Sequence, residues 1–456
     1  MKILLVQPAK PAKALGGEDF SIFEPLALEY LAAGVAADHD VRILDMRLDP
    51  NLEAHLRQYK PDIVGITSYT VHVNTVKRLF RQIKEFNPEI ITIVGGHHAT
   101  VMPEDFYTPF IDIMVVGEGA LIFREVIWRL EKNMALSGIN GAVCLENGAV
   151  LIRRDDPGLD LDACPFPRRD LTASYRTSYF SEWMRPLASI RTSKGCDFRC
   201  RFCALWKLTG GRYLTRKPEC IVEELSAIQE KYVFFADDES LLDTERMGIL
   251  ANYIQRAGIK KRFFLYGRSD TIAKHPELLE QWKGIGLERV FVGLEFIRDA
   301  DLKLVRKGST VENNERSVQI LKSLDIDIWP MLMVRPEFSR RDFTDLRQYS
   351  LGLDLDFIGF SVLTPLPGTD LYDEFKDRLI TTNYDYVDFF HTFLPTTLPI
   401  KDFYGELTQL FKHSRSLKNQ IKLMLKYRLR ELPSLFRAYG HLLDRLQNLA
   451  EDYPAS

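Results

Sequence analysis

An excess of positive charge is missing from this chain. Its 456 residues hold 60 Lys and Arg against 63 Asp and Glu, a net charge of −3, so no surplus drives counterion release from nucleic acid. Cysteine is sparse: six in a chain this long cannot make a dense disulfide framework, which leaves reduced thiols or metal ligands. Nowhere do about 18 apolar residues run without a charge, so no membrane-spanning segment is expected. Met1 to Val6 is apolar for too few residues before Gln7, Pro8 and Lys10 to be a signal peptide, and reads as a buried strand. These absences predict a protein of the cytosol or of the inner face of a membrane. No Gly-x-Gly-x-x-Gly opens the first helix and no phosphate-loop Lys follows a Gly-rich turn, so neither a nicotinamide dinucleotide nor ATP is indicated. What is present is ordinary for globular protein, with 46% hydrophobic and 27% charged residues.

Residues 1–140 alternate short apolar runs with amphipathic stretches. Ile3 to Val6, Val41 to Leu44, Ile63 to Ser68, Ile91 to Gly95 and Ile113 to Val116 read as strands, with helices at Pro25 to Ala37, Val73 to Phe86 and Leu121 to Lys132. Continuous rather than alternating hydrophobicity means both faces are covered, which predicts an α/β, doubly wound, Rossmann-like parallel sheet that binds ligands at its strand carboxyl ends. Unusual loops stand there: Thr67-Ser68-Tyr69-Thr70, then Gly95-Gly96-His97, then Gly117-Glu118-Gly119. Their glycines let backbone approach a bulky ligand. Weakened periodicity marks 141–186 as a linker, with Asp155, Asp156, Pro157, Pro165 and Pro167. A second βα series fills 187–380, its strands Leu187 to Arg191, Tyr232 to Ala236, Phe263 to Tyr266, Arg289 to Gly293, Ile328 to Val334 and Phe357 to Leu363 predicting a partial (β/α)6 barrel. From 381 to 456 the chain reads as a helical C-terminal region.

After the first strand of the second series stand Cys196, Cys200 and Cys203, spaced Cys-x3-Cys-x2-Cys on a loop opened by Gly195. Three thiolates so close can grip one face of an iron–sulfur cube. A structural zinc site wants a fourth ligand, and Cys144, Cys164 and Cys220 are scattered singly. With Phe202 before its third cysteine, the run resembles the radical S-adenosylmethionine (SAM) superfamily. The resemblance implies a 4Fe-4S cluster with one iron open to SAM, and Phe202 beside the adenine. It implies that Asp237, Asp238 and Glu239 after the second strand bind the amine, that Glu295 after the fourth meets the ribose, and that Arg268 with Arg306 or Lys307 meets the carboxylate. Adjacent Asp237 and Asp238 would point oppositely in a strand, so that one orients and the other binds.

The first half resembles the cobalamin-binding domain of class B radical SAM methylases, in Phe23-Glu24-Pro25-Leu26, Pro61-Asp62-Ile63-Val64-Gly65, Val94-Gly95-Gly96-His97-His98 and Val116-Gly117-Glu118-Gly119. That likeness implies cobalamin contacts from Gln7, Glu24 and the strand-end loops named above. The Asp-x-His-x-x-Gly motif that supplies an axial His elsewhere is absent, Asp45-Met46-Arg47 standing in its place, and the lower-face candidates are Tyr69, Val71 and His72. Longer words, Leu205-Trp206-Lys207-Leu208-Thr209-Gly210-Gly211-Arg212, Tyr266-Gly267-Arg268-Ser269-Asp270 and Leu363-Thr364-Pro365-Leu366-Pro367-Gly368-Thr369, resemble the hopanoid C-3 methylases in particular. The resemblance implies methylation of an unactivated carbon, of a hopanoid-like lipid, by way of a 5′-deoxyadenosyl radical and methylcobalamin. It also implies an outside electron donor such as flavodoxin or ferredoxin. The rivals are a class B methylase of another natural product and an anaerobic oxidative cyclase of the magnesium-porphyrin ester type, which shares the two-domain layout. A tRNA methylthiolating enzyme is disfavoured, since residues 1–143 hold no cysteine.

Between Lys401 and Arg445 about ten Lys/Arg face four Asp/Glu, with Leu, Ile, Phe and Tyr interleaved at helical spacing. Such a stretch can make peripheral contact with an anionic membrane. The alternative is a cap packed on the barrel with a solvated basic face.

Overall fold

The computed structural model describes residues 1–144 and 160–453. Two compact units emerge: Met1–Ala14, Phe23–Ser178 and Asn383–Val387 form one, and Leu15–Ile22, Tyr179–Thr382 and Asp388–Ser456 the other.

In the first unit β1 (Lys2–Gln7), β2 (Asp40–Asp45), β3 (Ile63–Thr67), β4 (Ile91–Gly95) and β5 (Ile113–Val115) lie parallel in the order β2-β1-β3-β4-β5. Alternate side chains serve opposite faces. Leu4, Val6, Val64 and Ile66 pack on α2 (Leu52–Tyr59) and α3 (Val73–Phe86), while Ile3, Leu5, Ile63 and Ile93 pack on α1 (Leu26–Ala33) and α4 (Gly119–Glu131). The continuous apolar runs reflect this double cover. Strand order reverses between β1 and β3, so the connections leaving their carboxyl ends part to opposite faces and open a crevice, the usual ligand position in such sheets. A sixth strand, β6 (Ala142–Cys144), pairs antiparallel with β5 where the sequence suggested linker. It is entered through Gly141, whose φ of 86° and whose absent Cβ, 2.6 Å from the Val116 carbonyl oxygen, both require glycine. Asp155, Asp156 and Pro157 lie outside the described residues.

In the second unit β7 (Leu187–Ile190), β8 (Tyr232–Phe235), β9 (Arg262–Arg268), β10 (Leu287–Glu295), β11 (Asp327–Val334) and β12 (Gly359–Val362) are neighbours in space as in sequence, all parallel. β7 and β12 remain edges, so the barrel is incomplete, as six βα repeats predict. Outward side chains such as Val233, Phe235, Leu265 and Val292 meet α5 (Pro218–Ala227), α6 (Thr244–Arg256), α7 (Pro276–Ile285), α8 (Val311–Ser323) and α9 (Arg340–Leu353) in one core. Phe403, Tyr404, Leu407, Leu442 and Leu446 bring α10 (Ile400–His413) and α12 (Leu432–Asn448) onto that core. No helix among the described residues is long and apolar enough to cross a membrane.

Inward side chains form layers. At the amino ends of the strands Arg289 is buried between Glu182 (2.6 Å) and Asp327 (2.5 Å) and lies over the Trp183 ring. In the middle Tyr266, Phe291 and Trp329 are register partners whose rings touch, with centroids 4.9 and 5.9 Å apart. Toward the carboxyl ends stand Arg268, Gly293 and Met331.

Trp282 of α7 fits between Phe235 and Phe263 and donates from Nε1 to the Met247 carbonyl at 3.1 Å. Trp282→Ala removes this packing and the indole hydrogen bond, and should cost about 3–5 kcal/mol in chemical denaturation. A loss below about 1 kcal/mol would mean that the core closes over the gap.

Candidate active site

Everything at the cysteine loop starts from β8. It ends at Phe235, so Asp237 and Asp238 are not alternating strand residues; both turn toward the loop that follows β7. Asp237 accepts hydrogen bonds from the backbone N–H of Thr192 (2.7 Å), the N–H of Ser193 (2.8 Å) and the Thr192 hydroxyl (2.6 Å). Asp238 accepts from the N–H of Gly195 at 2.7 Å. Burial pushes both carboxyls upward in pKa, against the pull of these donors. Asp237 is thus committed to the chain and positions it. Arg246 braces the same turn, donating to the carbonyls of Thr192 (2.6 Å) and Arg216 (3.1 Å).

Gly195 then turns the chain at φ 86°, where a Cβ would lie 2.2 Å from the Arg212 carbonyl oxygen. Beyond it the Cys203 N–H donates to the Cys200 carbonyl at 3.2 Å, and Arg201 is tied by backbone bonds to Val305 and Leu371, each 3.0 Å. Cys200 is buried, Cys196 and Cys203 half-buried, and all three are free thiols. Burial pushes the Cys196 thiol up to about 11 and the Cys203 thiol to about 12, so a metal must displace their protons. Among the described residues no three His, Cys, Asp or Glu converge as one ion would need. A cube takes its thiolates on three different irons while structural zinc wants four ligands on one ion, so three thiols on one loop match a cluster's donor set better.

Charged groups frame the cysteines. Glu239 is buried, accepts from the N–H groups of Leu241 (3.2 Å) and Arg268 (3.3 Å), and is pushed by burial up to about 7. The Arg268 guanidinium pairs with Asp270 at 3.0 Å, donates to the Lys307 carbonyl and stacks 3.4 Å from the centre of the Phe198 ring. Glu295, left-handed at φ 63° after a bulge in β10, meets the Lys307 ammonium at 2.7 Å. A Cβ on Gly293 would fall 2.4 Å from Glu295 Oε1, so the glycine makes room for that pair. Burial is the strongest single influence against the Lys307 charge, but the charge and hydrogen bond of Glu295 together with Cys200 raise its pKa on balance. Of the two candidate cations, Arg306, at φ 53°, has a side chain 65% exposed and 3.6 Å from Asp370, whereas Lys307 is the buried one, paired with Glu295. Phe202 packs among Phe296, Leu302, Val305 and Leu371. Sequence reasoning missed Phe198, Arg246 and the Thr192-Ser193 turn; only contacts between distant segments reveal them.

In the first unit the strand-end loops are stitched together. The Ser68 N–H donates to the Gly95 carbonyl (2.8 Å) and the His98 N–H to the Ser68 carbonyl (2.9 Å). Gly96 is left-handed, and a Cβ there would meet Thr67 Oγ1 at 2.6 Å. Thr100 bridges the next loop, accepting from the Gly117 N–H at 3.0 Å, and Glu118 and Gly119 open α4. Several expected contacts are committed internally: Gln7 donates to its neighbour Pro8, the Ser68 hydroxyl to the Tyr69 carbonyl, and the Thr70 hydroxyl meets His98. His72 is buried, accepts from the Tyr69 N–H and is pushed by burial down to about 4, hence neutral. The Tyr69 ring is exposed instead, stacked on His97 at the switch-point crevice. The Glu24 carboxylate is buried in an ion cluster with Arg176 and Arg169, beside Glu29.

A B12 binding domain matches residues 12–127 and the radical SAM superfamily residues 190–349. The hopanoid C-3 methylase of Methylococcus capsulatus is 31% identical over 418 residues, 90% of this chain and 79% of that protein. The anaerobic magnesium-protoporphyrin IX monomethyl ester cyclase of Rubrivivax gelatinosus is 26% identical over 85% of this chain and 72% of its own. The radical S-adenosylmethionine methyltransferase TsrM of Kitasatospora setae, solved with cobalamin and a 4Fe-4S cluster bound, shares the fold at TM-score 0.71 over 99% of both chains, with 18% identity.

Gly195→Ala should leave the secondary structure intact by circular dichroism but sharply reduce the iron and sulfide retained after anaerobic reconstitution; full retention would mean that the turn is not needed. Glu29, raised by burial and by Glu24 from 4.5 to about 8, makes a second test. Its folded pKa exceeds the unfolded one, so stability is greatest below the unfolded value and declines as pH rises toward 8. Melting temperatures between about pH 5 and about pH 9 should fall less in Glu29→Gln than in the wild type.

Proposed function

We propose a function for this chain from the premise that it belongs to the B12-binding radical SAM methyltransferases, the family that holds hopanoid C-3 methylase. It is an enzyme of that kind, with a 4Fe-4S cluster, SAM and cobalamin as its cofactors. The finer reading is C-methylation of an unactivated carbon in a hopanoid-like polycyclic lipid. When bound, these groups supply one-electron cleavage of SAM and a transferable methyl group.

The chain's residues do the rest. Cys196, Cys200 and Cys203 hold the cluster, on a loop that Asp237 and Gly195 keep in place. Glu239 offers a carboxylate to the SAM amine, and the buried Glu295–Lys307 pair meets its other polar groups. Arg268 keeps Phe198 and Lys307 where they stand. In the first unit Tyr69, His97 and the loops at Gly95, Gly96 and Gly117 offer the corrinoid an aromatic face and close backbone approach. A small redox protein such as flavodoxin or ferredoxin supplies the electron.

The observation that carries the lipid reading is the lumen layer of Tyr266, Phe291 and Trp329, an apolar wall one layer from Arg268 and Gly293. Fused rings can lie on it while water is kept out. A planar porphyrin would suit the same wall, and the likeness to the cyclase keeps that second reading open.

Protein reconstituted anaerobically with iron, sulfide and cobalamin, then given SAM, reductant and a hopanoid, should yield a product heavier by one CH2 together with S-adenosylhomocysteine. SAM cleavage without a methylated hopanoid, alongside ring closure on a magnesium-porphyrin ester, would contradict the lipid reading and favour the cyclase. Trp329→Ala should raise KM for the acceptor about tenfold while SAM cleavage persists.

A further inference from the structure

We propose that the helix Leu417–Lys426, α11, and the turn after it form a docking surface for an anionic lipid bilayer. The helix is oriented against the usual rule. Its buried side carries Asn419 and Leu423, and Lys426 pairs with Asp327 and Asp356, so largely polar contacts hold it to the barrel. Its apolar stripe faces solvent: Leu417, Ile421 and Leu425 recur every four residues, and Leu417 is 72% and Leu425 80% exposed. Beyond the helix, Leu429, 86% exposed, and Phe436 of α12, 56% exposed, also present large apolar side chains to solvent. Soluble proteins rarely leave such a helical apolar stripe uncovered.

Charge selects the occupant. Between residues 417 and 437 six Lys/Arg stand against one acidic residue, in a chain whose net charge is −3. Lys418 and Lys422 lie next to the stripe around the helix, exposed, with Lys422 reaching Asp356 at 3.3 Å, and Arg428 and Arg437 are exposed in the segment that follows. Aliphatic tips with a collar of cations suit acyl chains beneath anionic headgroups. A second copy of the chain meeting this face would set lysine against lysine. Nucleic acid would leave the leucine tips without partners, since it asks for cations and stacking rings. The docking surface stands apart from the methyl-transfer chemistry, and its test needs no lipid turnover.

The reconstituted full-length enzyme is sedimented with vesicles of phosphatidylcholine alone or mixed with phosphatidylglycerol. Binding is expected only to the mixed vesicles and should weaken with salt. Leu425→Glu with Leu429→Glu should abolish it. Lys418→Gln with Lys422→Gln should weaken it by roughly fivefold for each residue changed. Both variants should keep the wild-type melting temperature and basal SAM cleavage. Equal binding to neutral vesicles, no binding at all, or binding untouched by either double variant would overturn the proposal. So would a concentration-dependent dimer that the Leu425→Glu, Leu429→Glu variant dissolves.

Discussion

One buried carboxylate decides whether the cysteine loop has a shape. Asp237 arrives just past the end of β8, and its two oxygens take three donors from Thr192 and Ser193, just past the end of the neighbouring β7. The parallel pairing of Phe235 with Ile190 sets the distance between those two strand ends, so a backbone register becomes a loop geometry. Bonds to a charged acceptor are worth about 1.5–3 kcal/mol each, and losing the acceptor would leave buried N–H groups with nothing to meet. Without that clamp Gly195 has no reason to hold its left-handed turn, and the three thiols of the loop would be free to separate.

Around this anchor the lumen separates chemistry by layer. At the amino ends, Arg289 with Glu182 and Asp327 is a charge cluster that never reaches the cysteines. The rings of Tyr266, Phe291 and Trp329 form an apolar floor above it. Charged groups return only at the carboxyl ends, where Arg268, Glu239 and the Glu295–Lys307 pair gather near the cysteine loop. Low dielectric beneath and fixed charges above suit chemistry that must polarise one ligand while keeping water from another.

Much of this was legible in the sequence because covered parallel strands leave a plain mark. The runs at Ile91 and at Ile328 locate strands to within a residue or so, since each must be apolar on both faces. The three-residue β6 escaped notice because an edge strand so short has no period. The Cys spacing is local and readable, but which neighbouring residue enters a site is not. Arg306 and Lys307 look interchangeable until the fold leaves the first exposed and buries the second against Glu295. The surroundings of Glu24 are illegible for another reason: its partners Arg169 and Arg176 are far along the chain, and no periodicity announces them. The apolar stripe of α11 reads in sequence like any core-facing helix, and only the fold shows it turned to solvent.

The most direct measurement is electron paramagnetic resonance of the anaerobically reconstituted, chemically reduced enzyme before and after SAM is added. The account predicts a reduced 4Fe-4S signal whose shape changes when SAM occupies the open iron, and no such signal from Cys200→Ala. Protein that carries zinc in place of iron, or a cluster signal indifferent to SAM, would contradict it.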